Sequence, residues 1–329
     1  MDLTNLKGLN KKMNLNLFRQ RIPTRNGYGD ALVELGAKNK EIMVLCADLT
    51  ESIRVEKFRE KFPTRFVEIG VAEQNLVTVA SGLAAVGKIP FASSYAIFCP
   101  GRCWEQIRTT ICYNNQNVKL VGAHAGISVG PDGATHQALE DIAIMRSLPN
   151  MVVIVPADYE QTKKATLAIA SYKGPAYMRF AREKTEQMTT AKTPFEIGKA
   201  QVLKDGNDLV LIGAGPVVYE CLAAAKLLEE RGINAVVINC HTIKPLDNNT
   251  ILLAAKKCKK IITVEEAQII GGLGGAVAEF LSETYPCKLK RIGVKDVFGE
   301  SGNPDELLKK FGFSAEHIFK EALKILEKL

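Results

Sequence analysis

Apolar and polar positions alternate along this chain in the manner of an α/β protein. Helical spacing over residues 27–39 precedes the apolar run 41–48, and the run 65–70 leads into a second helical segment. Further apolar runs occupy residues 117–124, 151–158 and 175–181. Since short apolar runs that alternate with helices are typical of parallel sheets, the first half is predicted to form one.

The same alternation resumes after a polar stretch. Residues 189–198 contain Pro194 and lack a sustained period, which is typical of a linker. A helical segment at 217–231 and further apolar runs then indicate a second, smaller unit. The sequence therefore predicts two consecutive three-layer α/β domains with mainly parallel sheets, at residues 25–188 and 199–329.

Composition is that of a folded protein. The 329 residues are 47% hydrophobic and 24% charged, and no apolar run reaches the ~18 residues that span a bilayer. The N-terminal segment lacks the apolar core of a secretory signal. The eight cysteines are scattered without a CxxC pair, which suits a reducing compartment. We therefore expect a cytoplasmic protein with no membrane partner and no metal bound by these cysteines.

The formal net charge of +7 is concentrated near the N-terminus. Six lysines and arginines lie within residues 1–25, where Asp2 is the only acid. A basic tail is therefore predicted over residues 1–24. Because no aromatic interleaving accompanies these charges, we expect a solvated tail rather than a nucleic-acid-binding arm. A mild positive field would also suit anionic, phosphorylated substrates.

Glu73 is the first residue that suggests chemistry. It stands in GVAEQN (70–75), between an apolar run and a helix whose apolar residues recur at helical spacing. Taken alone, a glutamate in the first turn is explained by the helix dipole. Whether it has a further role depends on the segments that follow it.

Two downstream segments accompany GVAEQN in order. They are PFASSYAIF (90–98) and the glycine-rich GAHAGISVGPDGATHQALEDIAIMRSLPNM (122–151). Together the three segments closely resemble the pyrimidine-binding domain of transketolases, and the resemblance extends from about Arg25 to Leu329. It implies the transketolase fold, thiamine diphosphate as cofactor, and roles for individual residues.

The resemblance implies that Glu73 contacts the aminopyrimidine ring of the cofactor. In the family the matching glutamate hydrogen-bonds N1′ of that ring, and a carboxylate is needed because an amide could not exchange the proton. Phe98 matches the aromatic residue that stacks on the ring, with Tyr95 one helical turn earlier. His136 and Asp48 match positions near the cofactor, although Asp48 could instead cap the next helix.

Other matching positions face the sugar substrate. His124 and His136 match the two histidines of the bacterial form of the loop, and Asp132 matches its aspartate. Imidazoles titrate near neutrality and can pass protons to and from sugar hydroxyls. The residues that match those holding the phosphate end of a sugar phosphate are Arg25, Ser52 and Arg182. An arginine suits this task because its planar guanidinium donates from two nitrogens.

A second glycine-rich segment, VEEAQIIGGLGGAV (264–277), suggests a dinucleotide site. It lacks the full GxGxxG pattern and the matching acid. Together with HTIKPLD (241–247) it resembles the transketolase C-terminal domain, in which these segments are mainly structural. We therefore expect helix packing and subunit contact here.

A complete transketolase has a further N-terminal domain, which binds the diphosphate through Mg²⁺ with a Gly-Asp-Gly segment and a later Asn. The nearest imitation here, Asp205-Gly206 followed by Asn234, suits an ordinary turn. The chain thus resembles the C-terminal subunit of a split transketolase, with the Mg²⁺ ligands expected from a partner chain. We expect a heterotetramer with two copies of each chain, and little activity from this chain alone.

The activity that the resemblance implies is transfer of a two-carbon ketol unit between sugar phosphates. Two related activities stay open, those of 1-deoxyxylulose-5-phosphate synthase and of the β subunit of 2-oxoacid dehydrogenases. His124 in GAHAG favours a transketolase over the synthase. A non-catalytic scaffold subunit is the alternative of another class, and the retention of Glu73, His124, Asp132, His136 and Arg182 argues against it.

Overall fold

A parallel sheet forms the frame of the N-terminal half. The computed structural model describes Phe18 and residues 20–327. Its strands are β1 (Arg21–Pro23), β2 (Ile42–Cys46), β3 (Phe66–Glu68), β4 (Ile89–Tyr95), β5 (Lys119–Ala123), β6 (Val152–Ile154), β7 (Ala176–Arg179), β8 (Lys184–Glu186), β9 (Gln201–Lys204), β10 (Leu209–Ala214), β11 (Ala235–Asn239), β12 (Thr242–Lys244), β13 (Lys260–Gln268) and β14 (Lys288–Val294). Neighbours in the order β6-β7-β5-β4-β2-β3 all pair parallel, as the apolar runs predict.

Helices connect most of these strands. They are α1 (Thr24–Lys38), α2 (Glu56–Lys61), α3 (Glu73–Ala85), α4 (Trp104–Gln106), α5 (Asp141–Arg146), α6 (Tyr159–Ser171), α7 (Val218–Glu229), α8 (Asn248–Cys258), α9 (Leu273–Thr284), α10 (Pro304–Lys310) and α11 (Ala315–Leu326). A π-helical segment, Ile107–Tyr113, continues α4, and the short 3₁₀ segments are Pro63–Arg65 and Ile127–Asp132. The predicted class, two consecutive α/β units with mainly parallel sheets, is confirmed.

The first sheet is covered by helices on both faces. One face packs on α1 and α6, where Tyr28 and Ile169 are completely buried. The other face packs on α3 through Leu76. Gly27 lets α1 approach α6 closely, since a Cβ there would lie 2.2 Å from the Tyr159 carbonyl oxygen. No helix within the described part of the chain is both long and apolar enough to cross a membrane.

The C-terminal half forms a five-stranded sheet in the order β14-β13-β10-β11-β9, in which β9 pairs antiparallel with β11. Strand β12 departs from this half. It pairs antiparallel with β6 and thereby becomes the seventh strand of the first sheet. The backbone N–H of Val155 extends this pairing by donating to the His241 carbonyl oxygen at 2.8 Å. The two halves are therefore joined by backbone hydrogen bonds, which the sequence does not reveal.

The predicted linker and tail lie partly within folded structure. In the linker, the Phe195 ring stacks on His241, with ring centroids 4.3 Å apart. Of the predicted tail, residues 1–17 and 19 lie outside the described residues. Residues 21–24 belong to folded structure instead, because β1 pairs with β8 and Thr24 is buried. The exact domain bounds stay a prediction.

Asp158 ties the end of the N-terminal half to α6. Its Oδ1 accepts hydrogen bonds from the Gln161 backbone N–H at 2.8 Å and from the Thr189 hydroxyl at 2.7 Å. Its Oδ2 accepts from the backbone N–H groups of Met188 at 2.7 Å and Thr189 at 2.6 Å. The side chain is completely buried, so it both caps a helix and holds residues 188–189.

The change Asp158→Ala is expected to lower the free energy of unfolding by about 3 kcal/mol, because it removes a helix cap and leaves three further buried donors without their acceptor. Ser314→Ala is the matched control, since Ser314 caps α11 through the His317 N–H, and should cost about 1 kcal/mol. Urea unfolding followed by circular dichroism measures both. Equal losses would show that the bonds to residues 188–189 contribute nothing.

Candidate active site

Most of the predicted site residues stand at the carboxyl ends of neighbouring strands of the first sheet. Asp48 follows β2, Glu73 follows β3, and Tyr95 ends β4. His124 and Arg182 follow β5 and β7. The carboxyl ends of parallel strands meet at one edge, where α/β sheets usually bind ligands. Strand order thus brings together residues that are distant in sequence.

Glu73 is the first residue of α3, and its side chain is almost fully buried, at 3% exposure. One carboxylate oxygen accepts a hydrogen bond from the Ser94 hydroxyl at 3.0 Å. The other accepts from Arg102 Nη1 at 2.9 Å. A buried carboxylate needs partners of this kind, because its desolvation is otherwise costly.

Sequence reasoning misses Arg102. Its guanidinium carbon lies 3.8 Å from the centroid of the Phe98 ring, so Arg102 joins Phe98 to Glu73. About half of its side chain is exposed. The available signal is its position four residues after Phe98, since the Arg102 N–H donates to the Phe98 carbonyl oxygen in a helical turn.

Four ring side chains form a cluster at this edge. The Tyr95 ring centroid lies 4.2 Å from that of His124 and 6.2 Å from those of Phe98 and His136. Phe98 meets His136 edge to face, with centroids 5.3 Å apart. The structure therefore brings these four predicted residues together.

His124 is held in an environment that keeps it neutral. Its backbone is left-handed, with φ of 55°, and its side chain is 2% exposed. Burial, followed by the positive charges of Arg25, Arg182 and His136, lowers the pKa of His124 from 6.5 to about 3. The expectation of an imidazole that titrates near neutrality is therefore wrong for His124. Its Nδ1 is buried without a partner among the described residues, which leaves it available to a bound molecule.

Arg25 and Arg182 lie close together because α1 begins beside the end of β7. The hydroxyl of Thr24 donates to the Ala181 carbonyl oxygen at 2.9 Å, and each arginine is the next residue. Burial first, and then the positive charges of Arg54 and Arg182, lower the pKa of Arg25. Such a concentration of positive charge favours an anionic ligand.

The described hydrogen bonds of the two arginines use only some of their N–H donors. Arg25 Nη1 donates to the Ser52 carbonyl oxygen at 2.8 Å, while its Nε is buried without a partner in the described part. Arg182 Nη1 donates to the Val129 carbonyl oxygen at 3.0 Å and to Asp132 Oδ1 at 3.4 Å. Because the pair with Asp132 is partly solvated, it is weak enough for an incoming anion to displace.

Asp48 and Ser52 are less engaged than the other predicted residues. Asp48 is exposed and its backbone N–H donates to Glu68 at 2.7 Å. The alternative that Asp48 caps the next helix is wrong, because Val55 occupies the cap position of α2. Ser52 contributes its carbonyl oxygen to the site rather than a described hydroxyl contact.

The glycine-rich segment of the second half binds a carboxylate of its own chain. Glu265 accepts hydrogen bonds from the N–H groups of Leu273 at 2.6 Å and Gly274 at 2.8 Å, at the start of α9. Burial raises the pKa of Glu265 to about 7. This carboxylate occupies the position that a nucleotide phosphate would take. Gly272 and Gly274 pack closely against Glu265 and Thr263, in agreement with the expected packing role, and the expected subunit contact stays a prediction.

Two family models match the chain. The model of the transketolase pyrimidine binding domain matches residues 20–187, and that of the transketolase C-terminal domain matches residues 198–318. These matches agree with the two sheets of the structure. The chain belongs to the transketolase family, which depends on thiamine diphosphate.

Similar proteins extend the match over nearly the whole chain. A putative transketolase C-terminal section from Methanocaldococcus jannaschii is 50% identical over 308 residues, which cover 92% of this chain and 96% of that protein. A 6-deoxy-6-sulfo-D-fructose transketolase subunit from a Clostridium species is 40% identical, covering 92% and 94%. The solved structure of a split gene transketolase, an inactive β4 tetramer, superposes with a TM-score of 0.88 at 46% identity, covering 93% and 99%.

His124 is expected to stay neutral down to about pH 4, because its pKa is about 3 in the folded protein. In the unfolded chain the pKa is near 6.5, so the unfolded state binds more protons between these values. Stability should therefore fall as the pH falls through this window. The variant His124→Asn, which tolerates a left-handed backbone, should lose less stability there.

Nuclear magnetic resonance of histidine-labelled protein measures this titration, with the variant identifying the His124 signal. His241 supplies an internal comparison, because burial lowers its pKa to about 4 as well. His124→Asn should therefore remove the His124 contribution to the pH dependence of stability and leave the contribution of His241. A His124 signal that titrates near pH 6.5 would contradict the assignment.

Proposed function

We propose that this chain is the C-terminal subunit of a thiamine-diphosphate-dependent transketolase, which transfers a two-carbon ketol unit between sugar phosphates. The observation that carries the proposal is the buried Glu73 carboxylate beside the Phe98 ring. A flat aminopyrimidine needs an aromatic face and a buried hydrogen-bond acceptor, so these two residues fit it. Arg102 already makes both kinds of contact, with a planar group that stacks and an N–H that donates.

Glu73 would bind the pyrimidine nitrogen N1′ and hold or release a proton there. Because Glu73 is buried and braced by Ser94, that proton exchanges with the cofactor rather than with water. Phe98 would stack on the ring, with Tyr95, His136 and Asp48 near it. The cofactor, when bound, supplies the electron sink for cleavage of a carbon–carbon bond next to a carbonyl.

The substrate residues divide by charge. His124 is neutral, so it orients a sugar hydroxyl through hydrogen bonds rather than by an ion pair. His136, which is less buried, would pass protons to and from a hydroxyl. Arg25 and Arg182 would bind the anionic end of the sugar. The Ser52 carbonyl oxygen would orient Arg25, and the anion would replace Asp132 as the partner of Arg182.

A second chain would complete the cofactor site with the diphosphate and Mg²⁺ ligands. This proposal is supported by a putative transketolase C-terminal section and by a transketolase subunit, each of which this chain matches over nearly its whole length. It is further supported by the similar split gene transketolase, which is an inactive tetramer of one kind of chain. We propose a heterotetramer in which two copies of this chain associate with two partner chains.

The change Glu73→Gln tests the function. Glutamine keeps the shape and can still hydrogen-bond, but it cannot take a proton, so kcat should fall by about 100-fold or more. The assay mixes this chain with the diphosphate-binding transketolase chain of the same organism, thiamine diphosphate and Mg²⁺, and measures ketol transfer from a ketose phosphate to an aldose phosphate. Glu105→Gln is the matched control, because Glu105 is exposed and should leave kcat unchanged.

Two results would refute the proposed function. One is the absence of ketol transfer by the complete wild-type mixture. The other is an unchanged kcat in Glu73→Gln. High activity of this chain without its partner would refute the split arrangement alone.

The arginine pair makes a separate prediction about substrates. Arg182→Ala should raise KM for a phosphorylated acceptor by about 30-fold, because a charge-assisted bond to the anion is lost. KM for the matching unphosphorylated sugar should change by less than about threefold. Arg108→Ala removes an exposed arginine and serves as the control. Equal effects on both sugars would show that Arg182 does not bind the phosphate.

A further inference from the structure

The loop of residues 126–137, here called the glycine-rich loop, carries Asp132 and His136, and its regular structure is the short 3₁₀ segment Ile127–Asp132, which Gly130 interrupts. Its two ends are tied together, because the Gly126 N–H donates to the Ala138 carbonyl oxygen at 3.0 Å. Inside it, Gly130 and Gly133 have positive φ angles of 79° and 74°. Such a backbone is held by contacts from outside rather than by a regular ladder of hydrogen bonds.

Glu266, on β13 of the C-terminal half, supplies one of these contacts. Its buried Oε1 accepts a hydrogen bond from the Ser128 N–H. A Cβ on Gly126 would lie 2.4 Å from the same oxygen, so the loop backbone passes directly over the carboxylate. Arg179 Nη2 donates to the Glu266 carbonyl oxygen at 3.1 Å and fixes this part of β13 against the first sheet.

Gln137 supplies the second contact, and it directly follows His136. Its Nε2 donates to the Ile127 carbonyl oxygen at 3.1 Å within the loop. The same nitrogen donates to the Glu300 carbonyl oxygen of the C-terminal half at 2.9 Å. With 2% exposure, this amide is a buried bridge between the loop and the other half of the chain.

Residues 299–304 of the C-terminal half lie so close to the loop that the glycines at the contact have no room for a side chain. A Cβ on Gly133 would lie 2.4 Å from Ser301 Oγ, and one on Gly130 would lie 2.8 Å from Pro304 Cγ. A Cβ on Gly299 would in turn lie 1.8 Å from Gln137 Oε1. The segment therefore fits closely against Gly130, Gly133 and Gln137, the residues that flank Asp132 and His136 in the sequence.

We propose that Gln137 is a positioning residue, through which residues 299–304 of the C-terminal half set the place of His136 and Asp132 at the site. The proposal rests on the proposed function for its effect on catalysis, but its structural part stands on the chain alone. Loss of the Gln137 donor frees the Ile127 and Glu300 carbonyl oxygens together. The loop is then released from the segment, while Glu73 keeps its hydrogen bonds to Ser94 and Arg102, which lie outside the loop.

Gln137→Met tests this, because methionine keeps the length and apolar volume of the side chain and removes both donor bonds. Gln161→Met is the matched control. Gln161 is equally buried and also joins the two halves, through Gln201 and Asn239, but its described bonds do not reach the loop. Both variants should lose stability, and only Gln137→Met should free the loop.

Hydrogen exchange of the full chain reads the loop without any assay of function. Amides of residues 126–137 should exchange about tenfold faster in Gln137→Met, as expected for the loss of a buried hydrogen bond. Gln161→Met should leave them unchanged. Exchange in the loop that is the same in both variants, or unchanged in Gln137→Met, overturns the proposal.

Kinetics of the complete enzyme give the second readout. KM for the ketose phosphate should rise about tenfold in Gln137→Met, and kcat should fall about tenfold as well, because the displaced glycine-rich loop carries both Asp132 and His136. Wild-type KM in an active Gln137→Met enzyme overturns the positioning role. If the wild-type mixture is inactive, the proposed function fails, and hydrogen exchange still decides whether the segment holds the loop.

Discussion

Burial of the Glu73 carboxylate is the constraint on which the rest of the site depends. A carboxylate with 3% exposure must be hydrogen-bonded, and both of its described partners come from β4 and the turn that follows. Ser94 lies one residue before the end of β4, and Arg102 reaches back over Phe98. Satisfying one buried charge therefore also fixes the turn that carries Phe98.

The sequence predicts the parallel strands better than the contacts that join the two halves of the chain. Apolar runs predict the parallel strands because the central strands, such as β5 and β7, are buried on both faces. Strand β12 has three residues and pairs with β6 from a distant part of the chain, so no local pattern predicts it. The site follows the same division: resemblance to transketolases indicates Glu73 and Phe98, whereas the contact of Arg102 with both depends on how the turn after β4 folds.

Charge illustrates why composition predicts so little of the site. Arg25 is one of the six basic residues near the N-terminus, and the other positive charges that act on His124, those of Arg182 and His136, come from later parts of the chain. They gather because α1 begins beside the end of β7. The arginine pair suits any tetrahedral anion, and one relative is a transketolase subunit for a sulfonated sugar. The local geometry thus favours an anion at the proposed substrate site.

The division of the proposed enzyme between two chains has a physical logic. A cofactor can bridge two polypeptides, because its pyrimidine end and its diphosphate end are bound by separate sets of residues. The glycine-rich loop cannot be separated from residues 299–304 in the same way. The two segments pack closely at their glycines, and the buried amide of Gln137 donates hydrogen bonds to both. A chain that kept the pyrimidine site without the C-terminal half would lack the Glu266 carboxylate and would leave the Ser128 N–H without this acceptor. The C-terminal half is therefore expected to stay on the same chain as the glycine-rich loop, because it completes the hydrogen bonding of that loop.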